Sequence, residues 1–284
     1  MNTYRTHDDA DLHYDRIGTA AGEPIVVLAG GAAAHPSYLD DLAGLSGVRP
    51  LVVPHLRGVG KSPLPADRQV ASFWRQAEDV ERLREHLGLR RIVLLGHSAG
   101  TRLAIAYAAQ FLASVGGLVL VTPPTGYLVP GGPGVDQVVD ARRGDPAFDA
   151  AYAAWQTGPE QHDDDGLTDW YARIAPMSYA SWGPAEEAHA RKLRYSYAAN
   201  RAYFSVDPPA DLAGRLARVD APVLVVAGAQ GTSVGVGPAT KLAGLFGSGQ
   251  IAVIDRSGHF PWFEQPTAFR AAVDAFLTRL RDQT

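Results

Sequence analysis

Residues 92–105 read Ile-Val-Leu-Leu-Gly96-His97-Ser98-Ala99-Gly100-Thr-Arg-Leu-Ala-Ile, and few folds accommodate that order. The short apolar run predicts a buried strand, and the alanine-rich pattern from Ala99 onward predicts a helix. Between them stands Gly-x-Ser-x-Gly. A strand that turns at once into a helix leaves no room for side chains at positions 96 and 100. It also holds the residue between them in a strained conformation with its hydroxyl projecting. The helix N-terminus beneath supplies backbone N–H groups to a developing negative charge. Ser98 is therefore the candidate nucleophile, and the Ala99 N–H is a candidate oxyanion donor.

The remainder of the chain supplies a frame for that turn. Extended segments are expected at 4–7 and 12–17, and buried strands at 24–29, 50–54, 92–95 and 118–121. Helical spacing covers 72–87, with Phe73, Ala77, Val80, Leu83 and Leu87 on one side. Strands alternating with helices imply an α/β fold with a mostly parallel sheet and helices on both faces. The pattern changes after Thr122, where prolines and glycines cluster through Gly134. Helical segments follow at 136–142, 147–155, 166–174 and 184–200, and strand signals return at 222–227 and 250–254 before a closing helix at 266–281. The organisation expected is a core of residues 1–127 and 205–284 carrying a helical cap at 128–204.

Composition narrows the function classes. A net charge of −4 argues against a nucleic-acid partner, which demands a basic face. No apolar run reaches the roughly 20 residues of a membrane span, and residues 1–9 lack the apolar core of a secretory signal. The absence of cysteine excludes disulfides, thiol nucleophiles and thiolate metal sites. A cytoplasmic location and a small-molecule substrate are expected; oligomeric state is not readable. The abundance of Ala, Gly, Arg and Asp suits a GC-rich bacterial genome. His162-Asp163-Asp164-Asp165 reads as a solvated loop ahead of a helix, since three consecutive carboxylates do not converge on one ion. No metal or cofactor is expected.

A serine hydroxyl needs a base. Of nine histidines, His259 in Gly258-His259-Phe-Pro-Trp262 follows the last expected strand. That puts it at the carboxyl edge of a parallel sheet, where Ser98 also lies and where such sheets bind ligands. His97 is expected to point beneath the sheet. The small residues Ala29-Gly30-Gly31-Ala32-Ala33 follow an earlier strand and let backbone N–H groups approach a substrate; Gly31 is the second candidate oxyanion donor.

With these residues the chain resembles the α/β-hydrolase superfamily, and within it the proline-iminopeptidase-like, epoxide-hydrolase-like branch. Four segments carry the resemblance: Ala29-Gly-Gly31, Leu56-Arg57-Gly58-Val-Gly60-Lys-Ser62, Gly96 to Gly100, and Gly258-His259-Phe-Pro-Trp262. It implies an eight-stranded sheet, a helical cap over the site, and hydrolysis through a covalent acyl-enzyme. A serine nucleophile then points to esters, amides or lactones.

Three positions depart from that pattern. The family's His-Gly before the oxyanion loop is Ala29-Gly30, and its Asp before Arg-Gly-x-Gly is replaced in His55-Leu56. Its triad carboxylate follows the strand at 222–227, where this chain has Gly228-Ala-Gln-Gly231, so Gly231 occupies the acid's place. The stretch 121–127, where some relatives keep the acid, has no carboxylate either. Asp255, or Asp136 from the cap, is the candidate substitute. Glu186, with Trp182 beside it, is a candidate substrate contact for a free amine, although acids at Pro184-Ala-Glu-Glu also suit a helix start. Two readings stay open: a serine hydrolase working as a Ser98–His259 dyad, or a non-hydrolytic descendant that catalyses cyclisation or proton transfer or binds a ligand.

Overall fold

Apolar runs without polar alternation form stable strands only when both faces of their sheet are covered. The computed structural model, which describes residues 2–281, meets that condition. Its strands are β1 (Asn2–Arg5), β2 (Asp11–Ile17), β3 (Ile25–Leu28), β4 (Leu51–Pro54), β5 (Ile92–His97), β6 (Val115–Val121), β7 (Val223–Gly228) and β8 (Gly249–Ile254). They form one sheet in the order β1-β2-β4-β3-β5-β6-β7-β8. β1, β2 and β4 pair antiparallel, and every pairing from β4 through β8 is parallel.

Successive side chains point to opposite faces of a strand, and the core divides accordingly. Val26, Val52, Leu94, Leu118 and Val225 join one cluster, which includes Leu103 and Ile105 of the helix Ala99–Gln110 and Val80 and Leu83 of Gln76–His86. Their neighbours Val27, Val53, Leu95, Val119 and Val226 join the other, against Phe269, Val273 and Phe276 of Pro266–Arg281. β6 begins earlier than its apolar run predicts, because Gly116 and Gly117 hid its start. Gly117 belongs in the strand because a Cβ there would lie 2.7 Å from Leu280.

The segment between β6 and β7 is helical throughout its regular elements. Its last helix, Leu212–Leu216, packs into the core cluster of the Ser98 helix. The single helix expected at 184–200 is instead two, Pro184–Ala190 and Tyr197–Tyr203. The chain extends between them to meet the loop after β3, through His35 N–H to the Arg194 carbonyl at 2.8 Å and a bridge between Ala34 and Tyr195. This pairing overrides the local helical preference. Among the described residues no helix is long and apolar enough to cross a membrane.

The Arg57 segment has a structural job. Arg57 is 1% exposed and forks onto Asp79 (2.6 and 2.7 Å) and Asp8 (2.9 and 2.8 Å), so the buried charge is paired on both sides. The two aspartates diverge: Arg57 holds the Asp8 carboxyl well below the usual range, whereas burial outweighs it at Asp79 and raises that group.

Candidate active site

Ser98 stands between β5 and its helix at φ 50°, ψ −122°, a strained backbone costing about 1–3 kcal/mol. The flanking glycines leave no alternative. A Cβ at Gly96 would lie 2.8 Å from the Gly100 carbonyl oxygen, and one at Gly100 would lie 2.6 Å from the Ala29 carbonyl oxygen and overlap that of Leu28. The Ser98 N–H donates to the Val121 carbonyl at 2.9 Å, which pins the turn to β6.

The loop after β3 turns left-handed through Gly31, Ala32 and Ala33, with φ of 66°, 44° and 76°. Gly30 gives its N–H to the Tyr38 hydroxyl at 2.7 Å, whereas the N–H groups of Gly31 and Ala99 take no hydrogen bond among the described residues. Gly31, Ser98, Ala99 and His259 line one cavity of about 560 Å³. The structure thus brings together the four residues singled out for nucleophile, base and oxyanion donors.

His259 is fixed by its main chain. Its N–H donates to the Ser178 carbonyl at 2.6 Å, and its carbonyl accepts from His97 Nε2 at 3.0 Å and Thr122 Oγ1 at 3.1 Å. On either side, the Gly258 and Phe260 N–H groups donate to Glu264 Oε2 at 2.9 and 3.2 Å. The ring itself makes no hydrogen bond among the described residues, and none joins it to Ser98. Burial, its only perturbation, lowers His259 to about 4.

The candidate acids do not reach that ring. Asp255 is exposed and takes part in no hydrogen bond or ion pair among the described residues. Asp136 lines the cavity but is exposed. A Cβ at Gly231 would lie 2.9 Å from the Val234 carbonyl oxygen and 3.3 Å from that of Gly228, so the turn holds a side chain at this position only if one of those carbonyls gives way. Trp182 and Glu186 lie outside the cavity lining. Trp182 instead packs on Tyr179, ring centroids 5.5 Å apart, and Glu186 sits in the first turn of Pro184–Ala190.

His97, at the edge of the cavity, is buried, and its ring packs on Tyr38, Phe260 and Trp262 of the second core cluster. Because the His259 carbonyl can only accept, His97 carries its proton on Nε2. Its Nδ1 accepts from the Tyr38 hydroxyl at 2.7 Å. A chain of hydrogen bonds therefore runs from Gly30 through Tyr38 and His97 to His259. Burial, with His259 beside it, pushes His97 well below the usual imidazole range.

Sequence reasoning also missed Asn200, Tyr203 and Glu264. Asn200 Nδ2 donates to the carbonyls of Gly31 (3.3 Å) and Ala32 (3.0 Å), and the Tyr203 hydroxyl donates to that of Ala99 at 2.7 Å. The helical segment thus grips both the loop after β3 and the Ser98 turn. Polar side chains in the otherwise apolar stretch 199–204 were the available signal.

Two clusters have ligand types suited to a metal: His13, Asp15 and His55, and His7, Asp8 and Asp79. Both already carry polar contacts: His13 Nε2 lies 3.3 Å from Asp15 Oδ1, and His7 Nε2 lies 3.3 Å from Glu78 Oε2. His55 Nδ1 accepts the Lys61 N–H at 3.2 Å, so its proton lies on Nε2 and points to Asp15 Oδ2 at 2.9 Å. Arg57 occupies Asp8 and Asp79.

The family model for the alpha/beta hydrolase fold matches residues 23–162. A proline iminopeptidase from Heyndrickxia coagulans is 33% identical over 102 residues, which cover 36% of this chain and 35% of that protein. The match therefore spans about a third of that relative's length. Two solved structures align along nearly all of both chains and share the fold. An esterase from Rhodococcus sp. has a TM-score of 0.74 at 24% identity, covering 98% of each chain. A proline iminopeptidase from Mycobacterium smegmatis has 0.72 at 18% identity, with the same coverage. With the strained serine, the left-handed loop after β3 and the histidine that follows the last strand lining one cavity, the chain has the α/β-hydrolase fold.

Proposed function

We propose that this protein is a serine hydrolase that cleaves a small, uncharged ester, lactone or amide through an acyl-enzyme on Ser98. The observation that carries the reading is the shared cavity in which the strained Ser98, the unpartnered Gly31 and Ala99 N–H groups and His259 meet. Ser98 Oγ attacks the carbonyl carbon while His259 takes the hydroxyl proton. The two N–H groups receive the oxyanion. The leaving alkoxide or amine takes the proton back from His259, and a water activated by the same imidazole then releases the acid and frees Ser98.

The helical segment at 128–204 acts in this reading as a cap that sets specificity. Tyr152, Trp155, Trp170, Tyr171, Ile174 and Met177 line the cavity, and rings and aliphatic groups favour an apolar or aromatic substituent. Asp136 is the single carboxylate in the lining and is exposed, which gives little purchase to a free amine. Esters of apolar groups are therefore preferred to N-terminal peptide substrates.

The lone His259 ring favours a second reading, a descendant that keeps the pocket and binds a ligand without hydrolysis. Turnover of p-nitrophenyl acetate by the wild type and by Ser98→Ala decides between them. Hydrolysis predicts a fall on the order of 10³-fold or more in the variant, with fluorophosphonate labelling lost in both Ser98→Ala and His259→Ala. Equal rates for wild type and Ser98→Ala would exclude the hydrolase.

A further inference from the structure

Four consecutive residues of the helical segment are tied down by their backbone. The Met177 carbonyl accepts from Thr232 Oγ1 at 2.6 Å, and the Ser178 carbonyl accepts the His259 N–H at 2.6 Å. Arg142 donates to the Tyr179 carbonyl, and the Ala180 N–H donates to Glu264 Oε1 at 2.6 Å. This strap lies directly on the histidine loop, for a Cβ at Gly258 would meet Ser178 O at 2.5 Å and Ala180 N at 3.0 Å.

Glu264 is the common fastener. Oε2 receives the N–H groups before and after His259, with Ser257 Oγ at 3.4 Å, while Oε1 receives the strap. No cation hydrogen-bonds to this carboxylate among the described residues, although the Arg142 guanidinium feels its charge from the strap side; its hydrogen-bond partners are backbone N–H groups and one hydroxyl. A group bonded in this way fixes the path of main chain rather than balancing charge. It also flanks His259, whose ring has no carboxylate partner among the described residues.

We propose that Glu264 is the positioning residue that holds His259 in register with Ser98 in place of a triad acid, by clamping the histidine loop to the strap at 177–180. This rests on the serine-hydrolase reading for its kinetic consequence, but not for its structural one. The clamp works through the two faces of one carboxylate, and substitutions separate them. Glu264→Gln can keep its carbonyl oxygen on Gly258 and Phe260 while its amide N–H₂ opposes the Ala180 N–H, so only the strap is released. Glu264→Ala releases both.

The experiment pairs ester kinetics with imidazole NMR on the full chain. In Glu264→Ala, kcat for p-nitrophenyl acetate should fall by about 10²-fold, the scale of an ångström-sized misplacement, with KM changed far less. Glu264→Gln should lose several-fold. The His259 ring should titrate higher in Glu264→Ala than in wild type, as the loosened loop admits water; a merely structural glutamate would lower stability without moving that titration. A folded Glu264→Ala with unchanged kcat and an unchanged His259 titration overturns the proposal. If Glu264→Ala does not fold, Glu264→Gln decides: wild-type kcat and titration there overturn it as well. Wild type that shows no Ser98-dependent turnover refutes the hydrolase reading alone, and the NMR comparison still tests the clamp.

Discussion

Two turns flank β6 at the same edge of the sheet: the one after β5, which carries Ser98, and the one after β7, which carries Gly231. Both are packed without slack. Gly100 lies against the Leu28 and Ala29 carbonyls, and Gly228 lies against the carbonyls of Ser257 and Gly258. Yet the first presents a reactive group in a strained conformation, and the second presents none. The difference separates two roles that are easily conflated. Close packing preserves the frame of a loop, because any added atom collides with backbone. It does not by itself supply a reactive side chain: at position 231 the backbone is close-packed and no carboxylate is present. His259 is then held from behind, by main chain, rather than through its ring.

The comparison breaks most sharply at Gly100. Alanine there overlaps two carbonyl oxygens that belong to a strand end and cannot swing aside, so Gly100→Ala should lower stability by about 3 kcal/mol and displace Ser98. Alanine at Gly231 meets the Val234 carbonyl oxygen at 2.9 Å and that of Gly228 at 3.3 Å, a milder collision than at Gly100, and should cost about 1 kcal/mol. Urea denaturation midpoints of the two variants test this; equal losses would show that the second turn is as rigid as the first.

Gly231→Asp sharpens the comparison. If an aspartate at 231 reaches His259, its carboxylate stabilises the imidazolium formed as Ser98 attacks. The Val234 carbonyl must first yield by a few tenths of an ångström, so only part of the usual benefit is expected. Ester turnover should rise at least about tenfold, worth roughly 1.4 kcal/mol. The acidic limb of kcat/KM, expected near 4 in the wild type if His259 is the base, since burial lowers it to about 4, should move upward. No gain in rate and no movement of the limb would mean that main-chain positioning already supplies what the acid would.

What was legible in the sequence follows the same division. Glycines forced by backbone contact, such as Gly96 and Gly100, or by a left-handed φ, such as Gly31, carry position-specific information, and they exposed the elbow and the loop after β3. The apolar runs exposed the sheet. The failures share a cause: partners remote in sequence. Tyr38 lies 59 residues from His97, and Glu264 bonds Ala180 across 84 residues; a glutamate in the short helix Pro261–Glu264 looks like an ordinary surface acid. The break between Pro184–Ala190 and Tyr197–Tyr203 was hidden likewise, because pairing to the loop after β3 decides it. Asp255, near His259 in sequence, is an exposed residue beyond the end of β8.

The smallest effect is a pH dependence whose sign reports the missing acid. His259 is lowered to about 4 by burial, below the roughly 6.5 of an unfolded histidine. Between those values the unfolded chain binds the proton and the folded one does not, so stability falls as pH drops through this window. From pH 6.5 to 5.5 this group alone should remove about 1 kcal/mol. His97, lowered in the same direction, adds to the fall. His259→Phe should abolish the His259 share of that slope. Gly231→Asp should reduce it, because a carboxylate raises the folded value toward the unfolded one and narrows the window. Denaturant titrations at the two pH values measure it. A slope identical in wild type and His259→Phe would show that His259 is not desolvated, and would remove the physical basis for a neutral, acid-free base at this site.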